Sequence, residues 1–330
     1  MRILTDVNID WLRWRWPALA LSWLIILSGI GLMATRGVPL GIDFSGGTLV
    51  VVQFDQPVTE ESVRNALNPL PGEKTVQRYG EADENQIMIR LPQPPGEGGA
   101  IEQRATVVVD ALRKANVPTF EVLSTDVVGP VIGEDLQRKG IYATIASLVG
   151  IMAYIAFRFR LSFGLGAMTA SIHDVLITMS FLVFAGYELS LNVVAAILTL
   201  VGYGVNDQIV IFDRVRENLR MSRRDPMNVV INKSVNQTLP RTVITAGATA
   251  LAVLSLYLFG GEVLEPFAFA MLVGIITSTY STVFIASAIA VLLTDRKRSA
   301  ASASAPAQAS VAKAAGAARP GRKSRGAKAS

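Results

Sequence analysis

The chain has 330 residues, of which 51% are hydrophobic and 17% are charged, whereas about 25% of the residues in a soluble domain are charged. Its 31 basic and 26 acidic residues give a formal net charge of +5. The apolar content excludes a disordered chain, and the absence of cysteine excludes disulfides and thiolate metal sites. A single histidine, His173, excludes a His-rich metal cluster. We therefore expect an integral membrane protein that holds no cofactor and no metal.

The apolar residues are concentrated in six runs that are close to or longer than the roughly 20 residues that a helix needs to cross a bilayer. These runs cover residues 17–35, 140–157, 161–187, 189–212, 242–259 and 267–294. The first run begins with Pro17, which suits the first position of a helix because the missing N–H needs no partner there. The runs predict an α-helical polytopic membrane protein with six transmembrane helices.

The first run is longer than the apolar core of a secretory signal, which has about 7–15 residues. We therefore interpret it as a retained helix. All four tryptophans, Trp11, Trp14, Trp16 and Trp23, lie in it or just before it. We expect them to form an aromatic anchor at the membrane interface, and a ligand-binding aromatic cluster is the alternative.

The basic residues orient the six spans. They are concentrated in the N-terminal arm, in the turn that contains Arg158 and Arg160, in segment 213–239 and in the tail, whereas the turns around Glu188 and around Glu262 contain no Lys or Arg. Because short cytoplasmic loops carry the excess of Lys and Arg, we expect both termini to be cytoplasmic. This topology explains the basic loops, so we expect no nucleic-acid partner.

The segment between the first two spans shows the pattern β-α-β-β-α-β. Its predicted strands cover residues 48–54, 74–79, 85–91 and 119–128, and its second helix covers residues 100–116. The first helix begins after Thr59, a good N-cap that Glu60 and Glu61 follow in the first turn. This element order is typical of the ferredoxin-like α+β fold. We expect one external domain of this kind.

The predicted organisation has five parts. They are a cytoplasmic arm (1–16), a first transmembrane helix (17–36), the external ferredoxin-like domain (37–138), five further helices (139–294) with a cytoplasmic loop at 213–239, and a disordered basic cytoplasmic tail (295–330). Within that loop, Asp225 and Pro226 predict an N-cap followed by the first residue of an amphipathic helix.

Two charged residues within the spans are candidates for function, because a charge near the bilayer centre costs about 2.5–3.5 kcal/mol on insertion scales. Asp207 lies near the cytoplasmic end of the fourth run, and Arg241 opens the fifth run from the same side. We expect them to lie at similar depth. A proton-coupling pair, in which Arg241 sets the proton affinity of Asp207, and a static ion pair between two helices are both consistent with this spacing.

A second polar site is expected near the middle of the third run, at His173 and Asp174. Neighbouring helical residues point about 100° apart, so we expect these two side chains not to face each other and each to have its partner on another helix. A second proton site and a polar lock between helices are the two interpretations. Asn206, with Gly202 and Gly204, predicts hydrogen bonding and close backbone approach in the fourth run.

Five short motifs remain: residues 41–47 (GIDFSGG), 171–174 (SIHD), 204–207 (GVND), 212–218 (FDRVREN) and 238–242 (TLPRT). The first lacks the spacing of a phosphate loop, so we reject nucleotide binding. Taken together, over roughly residues 8–294, the motifs resemble those of the SecF family. SecF is the smaller membrane subunit of the SecDF accessory complex of bacterial protein export.

The resemblance implies half of an RND-type assembly of twelve spans, with SecD supplying the other six. It implies a non-enzymatic subunit of the bacterial inner membrane that uses the proton-motive force to complete translocation of unfolded preproteins after SecA-driven transport through SecYEG. It also implies that Asp207 and Arg241 take part in proton coupling. An RND-like exporter of small molecules or lipids and a purely structural subunit are the alternatives.

Overall fold

A computed structural model describes residues 8–70, 74–80, 84–91, 101–115, 117–159, 161–222, 225–261 and 263–293. The elements in chain order are α1 (Arg15–Arg36), α2 (Ile42–Ser45), β1 (Gly47–Phe54), α3 (Glu60–Ala66), β2 (Thr75–Tyr79), β3 (Gln86–Leu91), α4 (Ile101–Lys114), β4 (Phe120–Val128), α5 (Pro130–Arg158), α6 (Leu161–Ala185), α7 (Leu191–Met221), α8 (Met227–Phe259) and α9 (Glu265–Ser281). The predicted tail at 295–330, as well as Arg160 and Glu262, lie outside the described residues.

Six of these helices are long and apolar enough to cross a membrane, which confirms the predicted number of spans. They are α1, α5, α6, α7, α8 and α9, the last of which continues through a π turn at Thr282–Ala286 to Leu293. In the most apolar stretch of α6, α7 and α9, at least 50% of the residues are buried, against 6% in α5 and α8. Helices α6, α7 and α9 therefore form the centre of the bundle, and α1, α5 and α8 surround it.

Small residues let the central helices approach one another closely. A methyl group added at Gly204 of α7 would lie 2.5 Å from Ser278 Oγ of α9, and one added at Gly166 of α6 would lie 2.8 Å from the Ala286 carbonyl oxygen. Such contacts are the usual basis of helix packing in lipid, where the hydrophobic effect does not drive helices together. The small residues thus fix the positions of the polar side chains between these helices.

The domain between α1 and α5, which we expect to be external, has the predicted ferredoxin-like topology. Its sheet has the order β2-β3-β1-β4 with antiparallel neighbours, and α3 and α4 cover one face around a core that includes Val50, Ile89 and Leu112. Thr59 caps α3 as predicted, since its side chain accepts a hydrogen bond from the Ser62 N–H. Residues 92–100, between β3 and α4, lie outside the described residues.

Segment 213–239 differs from the predicted loop. Helix α7 continues to Met221, and α8 begins at Met227 and runs without interruption through Pro240. The two extensions are joined by hydrogen bonds from the Asn218 amide to Ser234 Oγ (2.8 Å) and Gln237 Oε1 (2.9 Å). Packing between these helices thus maintains helical structure where the sequence suggested a loop.

Two predicted helix starts are also wrong. Helix α1 begins at Arg15, so Pro17 lies inside its first turn, and the N-cap of α8 is Pro226, which makes no side-chain cap, instead of Asp225. A helix does follow Pro226, as predicted, since α8 begins at Met227. The physical reason is that proline is tolerated throughout the first turn and also suits the extended conformation just before it.

The N-terminal arm binds the extended part of α8. The backbone N–H of Trp11 donates to Asn232 Oδ1 (2.9 Å), and its indole N–H donates to Asn236 Oδ1 (2.9 Å). The other three tryptophans, Trp14, Trp16 and Trp23, are 56–63% exposed. Three of the four rings are therefore available for the predicted interfacial anchor, and Trp11 instead joins the arm to α8.

Two glycines of α1 give a matched test of helix packing. An added methyl group at Gly29 would overlap Ser180 of α6, whereas one at Gly31 would meet nothing within 4 Å. We expect Gly29→Ala to destabilise the protein by about 1–3 kcal/mol, the usual cost of overpacking, and to lower the midpoint of thermal unfolding in detergent. Gly31→Ala should not lower it. Equal midpoints for the two variants would contradict the α1–α6 contact.

Candidate functional site

Asp207 lies on α7, one turn after Tyr203, and only 5% of its surface is exposed. It lies among the spans, at a depth where the local sequence is otherwise apolar. A carboxyl group is costly to place inside a membrane protein, so its burial needs a compensating charge or a functional reason.

Arg241 supplies the nearby positive charge. It lies on α8 directly after Pro240, and it acts electrostatically on the Asp207 carboxylate. Among the hydrogen bonds and ion pairs of the described residues, none joins these two side chains or pairs either of them with another group. The structure thus brings together the two residues that the sequence singled out, without a closed ion pair.

The same side of α7 and α8 presents polar groups to the outside of the bundle. Asn206 and Gly202 are exposed on α7, and Arg241 is exposed on α8. Asn206 therefore does not join the Asp207 carboxyl inside the bundle. When polar side chains within a span are exposed on an isolated chain, they almost always face other protein or a water-filled cavity in the assembled membrane protein.

His173 and Asp174 correct one prediction. Their side chains do meet, since His173 Nδ1 lies 3.1 Å from Asp174 Oδ1, although neighbouring positions differ by about 100° around a helix. The correction arises because the longer imidazole can reach back to the shorter carboxylate next to it. Asp174 also has the partner on another helix that we predicted, since Ser281 Oγ of α9 donates to Asp174 Oδ2 (2.8 Å).

The imidazole of His173 also contacts α9, where it stacks on the ring of Tyr280 at 6.2 Å between centroids. The Tyr280 hydroxyl in turn donates to the Ala18 carbonyl oxygen of α1. The polar pair of α6 is thus connected to both α9 and α1. Both members are buried, at 8% and 3% exposure.

Sequence reasoning missed several polar groups in the same region. Both side-chain polar atoms of Gln208, together with Thr178 Oγ1, Thr242 Oγ1 and Ser278 Oγ, are buried and have no hydrogen-bond partner in the part of the chain that the structure describes. Gln208 stands directly after Asp207 in the sequence, and this position was the signal that could have identified it. Uncharged polar residues are easily overlooked in a search of spans for charged ones.

A second group of contacts joins the domain between α1 and α5 to the turn between α6 and α7. The backbone of Leu40 pairs with that of Leu189 in a short parallel bridge, in which the Leu189 N–H donates to the Pro39 carbonyl oxygen and the Gly41 N–H donates to the Leu189 carbonyl oxygen, each at 2.7 Å. A methyl group at Gly41 would lie 2.9 Å from that last oxygen. The close approach therefore requires glycine there.

Two charged side chains reinforce this connection, which we call the outer junction. Arg90 of β3 forms an ion pair with Glu188, and its guanidinium donates to the Leu40 carbonyl oxygen (3.2 Å). Asp43 of α2 accepts a hydrogen bond from the Leu191 N–H at the start of α7 (2.8 Å). The outer junction thus binds the sheet, the segment after α1 and the turn between α6 and α7 to one another.

Burial lowers the pKa of Arg90, and the nearby Asp43 carboxylate opposes that shift. The guanidinium remains charged because its ordinary pKa is above 12. Tyr187 lies in the same turn as Glu188 and donates to the Glu265 carboxylate. Its burial, and to a smaller extent this contact, raises the pKa of its phenol. At neutral pH the outer junction therefore holds a cationic Arg90 and a neutral Tyr187.

Comparison with protein families assigns most of the chain. Residues 107–296 match the family described as protein export membrane protein SecD/SecF, C-terminal, and residues 31–58 match the SecD/SecF GG motif. The second match includes the segment from Pro39 to Asp43 that forms the outer junction. The first contains Asp207 and Arg241.

Curated relatives agree with this assignment. The chain is 41% identical over 287 residues to the protein translocase subunit SecF of Desulfurispirillum indicum, with 86% of this chain and 91% of that protein covered. It is 37% identical over 285 residues to that of Escherichia coli O157:H7, with 86% and 87% covered.

Solved structures agree as well. SecDF from Thermus thermophilus, described as a translocon-associated membrane protein, superimposes with a TM-score of 0.79 at 32% identity. That match covers 89% of this chain but 40% of the SecDF chain, so this chain spans less than half of the solved protein. SecDF in a super-membrane-facing form gives a TM-score of 0.66 at the same identity, with 92% and 41% covered. The chain belongs to the SecF family of protein translocase subunits.

Proposed function

We propose that this chain, together with a SecD partner, uses the proton-motive force to complete protein translocation across the bacterial inner membrane. In this proposal it is a non-enzymatic subunit that acts after SecA-driven transport through SecYEG, on unfolded preprotein that emerges at the outer surface. The observation that carries the proposal is the buried Asp207 carboxyl beside Arg241, with no hydrogen bond or ion pair to either side chain among the described residues.

This arrangement suits a group that must gain and lose a proton. A closed ion pair would hold the carboxylate in its charged form, whereas an open pair lets small movements of α7 against α8 change the proton affinity of Asp207. The guanidinium cannot carry the proton itself because it stays protonated. Its role is to set the proton affinity of the carboxyl.

The free energy available from each proton is small. One elementary charge that crosses a potential of 100 mV releases about 2.3 kcal/mol. Several protons are therefore needed for one large movement of the external domain, or one proton for a movement of small free-energy cost.

The exposed polar side of α7 and α8 supports a SecD partner. Asn206 and Arg241 are exposed in the isolated chain, and a membrane protein does not leave such groups facing lipid. In the solved SecDF, the matched region is 40% of one longer chain. The rest of that chain is therefore available to cover the surface that corresponds to this one. We infer that the SecD partner covers this side.

The outer junction supports the mechanical part of the proposal. Asp207 and Leu191 belong to one continuous helix, and Leu191 is held by Asp43. Two SecDF structures of equal sequence identity to this chain give TM-scores of 0.79 and 0.66, so relatives of this chain adopt more than one shape. We infer that movement of α7 is passed through the outer junction to the external domain.

The proposed orientation follows from the basic residues. Both termini and the α7–α8 connection are cytoplasmic in this proposal, because Arg214, Arg216 and Arg220 lie at that end of α7. The external domain then lies on the outer side of the inner membrane. It is the part of the chain placed to meet an emerging preprotein.

Asp207→Asn tests the proton-coupling role. In liposomes that contain the chain with its SecD partner, we expect the proton flux that accompanies preprotein transport to fall at least about a hundredfold, the range that a positioned acid–base group contributes. A pH-sensitive dye inside the liposomes measures this flux. Arg241→Met should behave in the same way.

Two variants serve as matched controls. Asp213→Asn changes an exposed carboxylate of α7 that pairs with Arg216, and Arg158→Ala changes the last residue of α5. Neither should alter the flux. Unchanged flux in Asp207→Asn would overturn the coupling role of Asp207.

Charge exchange at the outer junction tests its role in transmission. We expect Arg90→Glu and Glu188→Arg each to lower proton-driven preprotein transport while the proton flux persists, because the external domain no longer follows α7. The double variant restores the ion pair and should recover most of the transport, with a coupling free energy of about 1–3 kcal/mol. Transport into liposomes under an imposed proton gradient is the measurement.

Arg78→Glu is the control for this experiment, because it reverses an exposed charge on β2 that takes part in no ion pair among those of the described residues. It should leave transport unchanged. If the double variant transports no better than the single ones, the Arg90–Glu188 contact does not transmit movement.

A further inference from the structure

The interface where α6, α7 and α9 meet contains more polar atoms than its packing uses. We call this interface the inner seam. Its polar members and the glycine between them are Asp174 and Thr178 of α6, Gly204 and Gln208 of α7, and Ser278 and Ser281 of α9, all of them buried. The inner seam does not include Asp207, which is buried on α7, or Arg241, which is exposed on α8.

Gly204 brings the three helices together at this point. A methyl group there would lie 2.5 Å from Ser278 Oγ and 3.7 Å from Asp174 Oδ2. The α7 backbone therefore lies directly against the carboxylate of α6 and the hydroxyl of α9. Gln208 follows one turn later on the same side of α7, and it is completely buried.

Several polar atoms of the inner seam have no hydrogen-bond partner within the described part of the chain. They are both amide atoms of Gln208, Ser278 Oγ, Thr178 Oγ1 and, on the His173 ring beside Asp174, Nε2. Buried polar groups in native proteins are nearly always paired with protein or with ordered water. Because the chain itself covers these atoms, an enclosed water molecule suits them better than a side chain of a docked partner.

A small cavity lies between α7, α8 and α9. It has a volume of about 10 Å³ and is lined by four aliphatic residues and four threonines: Ile211, Val235, Leu239, Val283, Thr238, Thr242, Thr279 and Thr282. That volume is close to the minimum that one water molecule needs. Three of the threonines donate to backbone carbonyl oxygens, whereas the hydroxyl of Thr242 is buried without a partner among the described residues.

The inner seam and the charged pair share helix α7. Gln208 follows Asp207 directly on α7, and both residues are buried. On α8, the buried Thr242 follows Arg241 directly. Since neighbouring positions differ by about 100° around a helix, Gln208 points to a different part of the interior from Asp207.

Helix α9 has an irregular backbone at the same level. The π turn at Thr282–Ala286 begins directly after Ser281, the residue that donates to Asp174. Such π turns occur frequently at functional sites because they re-aim side chains and free backbone groups. Its position beside Asp174 and the small cavity is a further indication that this region does more than hold helices together.

We propose that the inner seam holds internal water molecules that pass protons between Asp174 and the Asp207–Arg241 site, with Gln208 as the positioning residue of this route. The proposal rests on the proposed use of protons by this chain. In each step one O–H bond breaks as another forms on the next oxygen, so no further reactant is needed. Gln208 takes no proton itself. It orients water by accepting at Oε1 and donating at Nε2.

The presence of water is tested on the full chain in lipid bilayers. Water-edited solid-state NMR of protein labelled with ¹⁵N-glutamine measures magnetisation transfer from water to each side-chain amide, and the signal that disappears in Gln208→Met identifies Gln208. We expect rapid transfer to this amide despite its complete burial. A Gln208 amide that receives none would overturn the proposal.

The route itself is tested by proton flux in liposomes that contain the chain with its SecD partner. Ser278→Ala removes a single oxygen, and Gln208→Met removes the amide at similar volume. We expect each to lower the flux at least about tenfold while Asp207 stays in place. Ser180→Ala is the matched control, because this equally buried hydroxyl of α6 bonds to the Leu176 carbonyl oxygen and packs against α1. It should keep the wild-type flux.

The outcomes separate this route from the proposed function. If the wild-type complex conducts protons and both Ser278→Ala and Gln208→Met conduct at the same rate, the route is wrong while proton use by Asp207 stands. A wild-type complex that carries no protons would overturn the proposed function and the route with it.

Discussion

The constraint on which the structure depends is that polar side chains inside a membrane must find partners in the protein or in enclosed water. Helices α6, α7 and α9 meet it at Asp174 by packing closely enough for this carboxylate to accept from Ser281 at 2.8 Å. Gly204 makes that distance possible, since any side chain there would meet Ser278. Burial of these groups places the three helices at the centre and leaves α1, α5 and α8 to cover them with largely apolar surfaces.

The same constraint supports the proposed SecD partner. Arg241 and Asn206 stay exposed after the six helices have packed, and neither can face lipid at low cost. In the proposed assembly a second set of spans removes this cost, and the matched region of the solved SecDF is 40% of a longer chain. The charged pair of the proposal would then lie near the boundary of two halves, where relative movement changes its surroundings most.

The sequence was sufficient to predict the six spans and the ferredoxin-like domain, because both depend on local patterns: long uncharged runs and a β-α-β-β-α-β order. It also singled out Asp207 and Arg241 as candidates, because charge within a span is visible residue by residue. It could not predict that His173 reaches Asp174, that Ser281 lies opposite, or that Arg90 pairs with Glu188. These contacts join residues that are distant in the sequence or whose approach depends on how whole elements pack. Gln208 was overlooked for another reason, since its amide carries no charge.

In the proposed function, helix α7 connects the proton-coupling site to the external domain. From Leu191, held by Asp43 at the outer junction, to Asp207 it spans about 24 Å at the helical rise, and no proline interrupts it there. A rigid helix transmits a displacement along this length with little loss, whereas a loop would absorb it. The turn that precedes α7 is in turn fixed by Leu40 and Arg90. A change of charge at Asp207 that moves α7 must therefore either move the external domain or break these contacts, and the glycine at position 41 keeps them too close to slide past one another.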